Sequence, residues 1–75
     1  MPKEIGTIKN RKVTIVNEID ISEHFFAREG KYAPAKMFEV RVEGLMRPIF
    51  IILPKDRATE SEVLKQVEIE TEAEI

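Results

Sequence analysis

The sequence has no cysteine and no tryptophan, and it contains a single histidine, His24. Without cysteine there can be no disulfide and no thiolate zinc site, which are two usual means of stabilising a small domain. A chain of 75 residues buries only roughly 60% of the surface of its unfolded state. We therefore expect one domain over residues 1–75, stabilised by dense packing and by self-association as a homodimer.

Catalytic and metal-binding motifs are also lacking. Ser22 and His24 lie two residues apart in a predicted helix, so they do not face each other and form no hydrolytic pair. His24 and Glu23 are too few ligands for zinc. The three glycines lie far apart, and the glutamates at 68–74 lack the EF-hand spacing. The sequence predicts a non-enzymatic protein without a cofactor or a metal.

Long apolar runs are absent as well. The longest, "IFIIL" at residues 49–53, is far below the roughly 20 residues that a membrane span needs. The first ten residues, "MPKEIGTIKN", contain no apolar run and do not resemble a signal peptide. We expect no membrane association and a cytoplasmic location.

Charged residues are abundant, at 35% of the chain against a usual figure of about 25%. With few Asn and Gln, this composition is typical of proteins from hot environments. The charge is unevenly placed: residues 1–54 carry +2 and residues 55–75 carry −4. Residues 1–13 contain four basic residues and only one acidic residue, Glu4. We therefore divide the chain into a mildly basic body, 1–54, and an acidic C-terminal segment, 55–75.

The N-terminal residues alternate between apolar and polar, as in strands. This alternation predicts strands over 5–9 and 12–17. Asn10 tolerates a left-handed backbone, so a tight turn at Lys9–Lys12 is expected between them.

A second hairpin is predicted at 37–43 and 48–53. Phe38, Val40 and Val42 alternate with charged residues, and Gly44 marks the turn. Residues 49–53 are apolar on both faces and are bracketed by prolines, which indicates the most central strand of the sheet.

Between the hairpins, "DISEHFFAREG" has the signals of a short helix. Asp20 and Glu23 fit a capping box, Arg28 fits the last turn, and Gly30 fits the position after the helix. "KYAPAK" is then a connector, because Pro34 favours an extended backbone at Ala33.

The C-terminal residues leave two alternatives open. Thr59 and Glu62 fit a capping box, which predicts a helix over 59–67. From Val67 onward apolar residues and glutamates alternate strictly, which fits either an edge strand or a frayed acidic tail.

Together these elements predict an α+β fold: two β-hairpins with a short helix between them (ββαββ), followed by a C-terminal helix or an extended acidic tail. Because opposite charges attract, we expect the acidic segment to lie near the basic N-terminal residues and partly to screen them.

The strings "IKNRKVTIVNEI", "AREGK", "FEVRVEG" and "FIIL" resemble the AbrB/SpoVT-like swapped-hairpin DNA-binding domains. Val13, Thr14, Ile15 and Ile19 occupy the apolar positions of the family's Val-Thr-Ile motif, and "REG" at 28–30 stands at its turn. The resemblance spans residues 5–54. It implies an intertwined dimer whose N-terminal basic strands and loops hold DNA phosphates.

Two functional hypotheses follow. In the first, the protein is a homodimeric DNA-binding regulator of transcriptional or antitoxin type that contacts the phosphates of double-stranded DNA electrostatically. Its candidate contacts are Lys3, Lys9, Arg11, Lys12, Arg41 and Arg47. In the second, the protein is an interaction module or small subunit that pairs a sheet edge with a protein partner.

Overall fold

The computed structural model describes residues 2–26 and 30–75, with only the backbone for residues 23–26. The described chain forms four strands, β1 (Lys3–Ile8), β2 (Arg11–Phe26), β3 (Lys31–Val42) and β4 (Ile49–Pro54). A short 3-10 turn (Lys55–Arg57) then leads into helix α1 (Glu60–Glu70). The strands form one antiparallel sheet in the order β1-β2-β3-β4. The fold is α+β, but the predicted ββαββ order is wrong, since four consecutive strands precede the helix.

The predicted first hairpin is confirmed. Lys9 and Asn10 both have positive φ, 49° and 67°, which is the geometry of a two-residue turn between twisted antiparallel strands. β1 then pairs with β2 from Ile8 opposite Arg11 back to Lys3 opposite Ile15.

The predicted helix between the hairpins is wrong. β2 continues as a strand through Phe26, and residues 31–36, predicted as a connector, pair with it as the start of β3. A helix of about eight residues gains little without packing, whereas the extended segment satisfies its backbone against a neighbouring strand. The expected last turn, with Arg28, lies outside the described residues.

Pro34 is accommodated within β3 by a bulge in β2. Ile21 is opposite Ala35 and His24 is opposite Ala33, so two residues of β2 stand opposite Pro34 alone. The pairing of β3 with β4 stops at Ala35. Neither β2 nor β4 therefore needs a backbone N–H from Pro34. A strand tolerates proline at a position of this kind.

The second predicted hairpin is confirmed, but the predicted position of its second strand is wrong. β3 and β4 pair from Ala35 opposite Pro54 to Val40 opposite Ile49. β4 is an edge strand of the sheet, not the most central one.

One face of the sheet, the inner face, forms the core against α1. The strands contribute a set of buried apolar residues, Ile8, Val13, Ile15, Phe38, Val40, Val42, Ile49, Ile51 and Leu53. Val63 and Val67 of α1 pack against this set and are fully buried. The other face of the sheet, the outer face, is not covered by α1.

The C-terminal helix is confirmed and is longer than predicted. Thr59 is its N-cap, since the N–H of Glu62 donates to Thr59 Oγ1 at 3.3 Å. The stripe that α1 buries continues to Thr71, whose hydroxyl donates to the backbone oxygen of Val67 at 2.8 Å. The open alternatives for residues after Val67 are thus resolved as helix followed by turn. No helix in the described part of the chain is long and apolar enough to cross a membrane.

Candidate functional site

An apolar patch lies on the outer face of the sheet. Ile19 of β2 is opposite Met37 of β3, which is opposite Ile52 of β4, and residues directly opposite each other share a face. Phe50 is on the same face, two residues from Ile52. We call Ile19, Met37, Phe50 and Ile52 the outer patch. Phe50 is 54% exposed, Ile19 44% and Ile52 37%, so the outer patch has the character of a binding surface.

The edge strand β4 has neither charged residues nor a bulge, which are two of the features that usually hinder edge pairing. Its residues Ile49–Pro54 carry no charge, and within the described chain β4 pairs only with β3. The other edge strand, β1, begins with Lys3 and Glu4 and has a bulge before Gly6. Charges and bulges on an edge strand hinder pairing with another chain. The edge of β4 is therefore the one that is open to a partner strand.

The predicted DNA contacts Arg11 and Lys12 lie where two turns meet at one end of the sheet. Arg11 Nη1 donates to the backbone oxygen of Glu43 at 3.0 Å, and the Lys12 N–H donates to Glu43 Oε1 at 3.2 Å. Glu43 N–H in turn donates to the Lys12 backbone oxygen at 2.9 Å. These bonds join the β1–β2 turn to the loop between β3 and β4.

The contacts Lys9 and Arg47 lie at the same end and bind the C-terminal residues. Lys9 Nζ donates to the backbone oxygen of Ile75 at 2.7 Å. Arg47 donates from Nε and Nη2 to Glu74 Oε1, at 3.0 and 2.7 Å. Glu74 thus partly neutralises Arg47, whereas Lys9 is hydrogen-bonded to a backbone oxygen.

Lys3 lies apart from this end and forms an ion pair with Glu60 at the start of α1. The hydrogen bond to Glu60 and its negative charge raise the pKa of the Lys3 ammonium above 10.5. This pair and the contact of Lys9 with Ile75 place the acidic segment near the basic N-terminal residues, as predicted.

Lys12 and Arg41 extend their side chains on the outer face. Arg41 is opposite Thr14, Lys12 is opposite Thr7, and Glu4 lies across β2 from Arg41. The side chains of Lys12 and Arg41 are exposed and form no ion pair with another described residue. The structure therefore gathers Lys9, Arg11, Lys12 and Arg47 at one end, with Arg41 beside them.

An open groove of about 340 Å³ lies between the end of β1 and the end of α1. Its walls are Ile8, Ile69 and Ile75, and the charged residues around it are Lys9, Glu68 and Glu72. No hydroxyl, thiol or imidazole group lines it.

No cluster of three or more potential metal ligands occurs among the residues that the structure describes. The side chain of His24 lies outside them, but the predicted position of this residue on a helix is wrong. Its backbone belongs to β2, opposite Ala33.

Sequence reasoning missed the outer patch. Its signal was present in the run "IFIIL", which is apolar on both faces, but that run was read as a central strand. Ile19 falls between the predicted strand 12–17 and the predicted helix, so its alignment with Met37 and Ile52 is not apparent from the sequence.

Comparisons with known proteins give no match: no family model, no curated protein and no solved structure is similar to this chain. The resemblance to AbrB/SpoVT-like domains is not tested by them and stays a prediction.

Proposed function

We propose that this protein is a non-enzymatic protein-interaction module that binds a partner chain through β4 and the outer patch. The observation that carries the proposal is the position of β4: a strand apolar on both faces lies at an open edge, with Phe50 and Ile52 exposed. Strands with such a composition are normally covered on both faces. An added strand supplies the missing backbone hydrogen bonds, and side chains from the partner cover the apolar surface.

Site-specific photo-crosslinking tests this function in the cells that produce the protein. With p-benzoylphenylalanine in place of Phe50, we expect a covalent adduct with a polypeptide, identified by mass spectrometry. The matched control carries the same group in place of Lys65, which is exposed on α1, and should give no such adduct. The further change Ile52→Lys should abolish the Phe50 adduct. Equal crosslinking at both positions, or none at Phe50, would contradict the proposal.

A second candidate function is binding to double-stranded DNA. It is supported by Lys12 and Arg41, which share the outer face beside Arg11 and form no ion pair with another residue that the structure describes. Phosphate contacts of this kind make affinity fall steeply with salt. A mobility-shift titration at two salt concentrations is the test, with Lys12→Ala and Arg41→Ala as variants and Lys65→Ala as control. Loss of binding in the two variants alone supports this function, and failure of the wild type to bind at low salt excludes it.

A further inference from the structure

We infer that the partner strand is β4 of a second copy of this chain, and that the two β4 strands pair antiparallel to form one continuous eight-stranded sheet. This inference rests on the proposed function, because it names the partner of the same surface. It follows from the contrast between the two edges of the sheet and from the sequence of β4 itself.

The two edges differ in ways that leave only one open. β1 has charges at its start and a bulge, and Leu64 of α1 packs so closely over Gly6 that an added Cβ would lie 2.9 Å from Leu64 Cδ2. β4 has no charge and no bulge within Ile49–Pro54. An edge strand without charge or bulge is available for pairing with its own copy.

The sequence of β4 is complementary to itself in the antiparallel direction. With Ile51 opposite Ile51 of the second copy, Phe50 is opposite Ile52 and Ile49 is opposite Leu53. Phe50 and Ile52 both lie on the outer face, whereas Ile49, Ile51 and Leu53 lie on the inner face. Every pair in this register therefore joins two apolar side chains on the same face, and no like charges stand opposite each other.

The prolines limit the pairing to this segment. Pro48 and Pro54 bracket the strand and have no N–H, so the ladder cannot extend past them. Pro54 is opposite Ala35 within the sheet, and a ladder tolerates proline when its nitrogen faces the open edge. Because alternate residues direct their backbone groups to the same side, we expect Phe50 and Ile52 to present theirs to the second copy.

The pairing also joins the apolar surfaces of both copies. In the stated register, Ile19, Met37 and Ile52 of one copy continue into Phe50 of the other, so the two outer patches form one surface. In a two-fold symmetric pair, each copy has its β4 edge occupied by the other copy. The assembly therefore ends at a dimer. Self-association of this kind is a usual means of stabilising a chain too short for a large core.

Sedimentation equilibrium over a wide concentration range tests the inference. The wild type should approach twice its monomer mass of 8.7 kDa. Ile52→Lys should keep the circular dichroism of the wild type but raise the dimer dissociation constant about 30-fold or more, since each dimer loses two cross-strand pairs. The matched control Asn17→Lys places the same charge on the outer face, opposite Glu39 and two strands from the edge but outside the outer patch, and it should remain a dimer.

The remaining outcomes decide between the inference and its alternatives. Loss of dimer in Asn17→Lys as well would show that the two sheets pack face to face, and would overturn edge pairing. An unchanged dimer in Ile52→Lys would also overturn it. In a wild-type sample mixed from labelled and unlabelled chains, isotope-filtered NOEs should join Phe50 to Ile52 of the other copy. A monomeric wild type that still crosslinks through position 50 to a different protein would overturn self-pairing and leave the proposed function intact.

Discussion

The C-terminal residues 72–75 are expected to stabilise the fold and to neutralise the basic end of the sheet at once. Truncation after Thr71 removes both contributions. Ile75 is partly buried and packs against the core, Glu74 accepts two hydrogen bonds from Arg47, and Ile75 accepts one from Lys9.

The size of the stability loss can be worked from these contacts. Full burial of an isoleucine side chain contributes about 1.5–3 kcal/mol, so a partly buried Ile75 contributes about 1 kcal/mol. The Arg47–Glu74 pair is exposed by 51% and 36%, which limits its contribution to about 0.5 kcal/mol. Releasing four residues recovers some conformational entropy. The two contributions sum to about 1.5 kcal/mol before this offset, so the net loss should be about 1 kcal/mol, and the melting temperature should fall by about 4–8 °C.

Differential scanning calorimetry of three chains separates the two contributions. The truncated chain should show the full decrease, Ile75→Ala most of it, and Glu74→Gln only a small part. If DNA binding is observed, both the truncation and Glu74→Gln should strengthen it, because Arg47 loses its carboxylate. A truncated chain that melts within 2 °C of the wild type would refute the packing of Ile75, and binding that stays unchanged would refute the screening of Arg47.

Three further predictions concern single residues. Gly44→Ala should destabilise the fold by about 1–2 kcal/mol in urea unfolding, because φ is +88° there and an added Cβ would displace the guanidinium of Arg11. A stability equal to that of the wild type would contradict the described turn. Thr59→Ala should cost about 1 kcal/mol in the same assay through loss of the N-cap, whereas the control Ser61→Ala, at an exposed helical position, should have little effect. Because the pKa of Lys3 is raised in the folded state, its pair with Glu60 contributes its full stability at pH values below the ordinary lysine pKa of 10.5. This contribution is lost as the pH rises through the higher pKa of the folded state. The melting temperature of the wild type should therefore exceed that of Lys3→Met at pH 9 and converge with it at strongly alkaline pH, and a constant difference would contradict the assignment.

Those elements of the fold that depend on neighbours in sequence were predictable. Asn10 marks a turn with positive φ, Gly44 marks the second turn, and Thr59 begins α1. Each of these signals acts within a few residues, so no knowledge of the rest of the chain was needed.

Elements that depend on distant residues were not predictable. Asp20 and Glu23 fit a helix start locally, but residues 19–26 form a strand because residues 31–37 pair with them. The alternation after Val67 resembles a strand, yet Val63, Val67 and Thr71 are the buried residues, spaced four apart as in a helix. A run that is apolar on both faces indicates that both faces of the strand are covered, but it does not indicate the position of the strand in the sheet. The predicted central position of β4 is wrong for this reason.

The candidate site was predictable only in part. The sequence identified the basic residues near the N-terminus and the acidic segment that neutralises them. It did not reveal that Glu60, Glu74 and the Ile75 backbone engage Lys3, Arg47 and Lys9 in particular. The outer patch depends on the register of three strands, which composition does not specify.

Residue-resolved hydrogen exchange of β4 shows directly whether the edge of this strand binds a second copy of the chain. Amides that face the open edge of β4 have no partner within the sheet and should exchange quickly in a dilute sample, while those of β3, such as Val40, stay protected. We predict that the Phe50 and Ile52 amides become protected in a concentrated sample and that the amides of β4 lose this protection in Ile52→Lys. Fast exchange at Phe50 and Ile52 in concentrated and dilute samples alike, beside a protected β3, would contradict the claim that this edge binds a second copy.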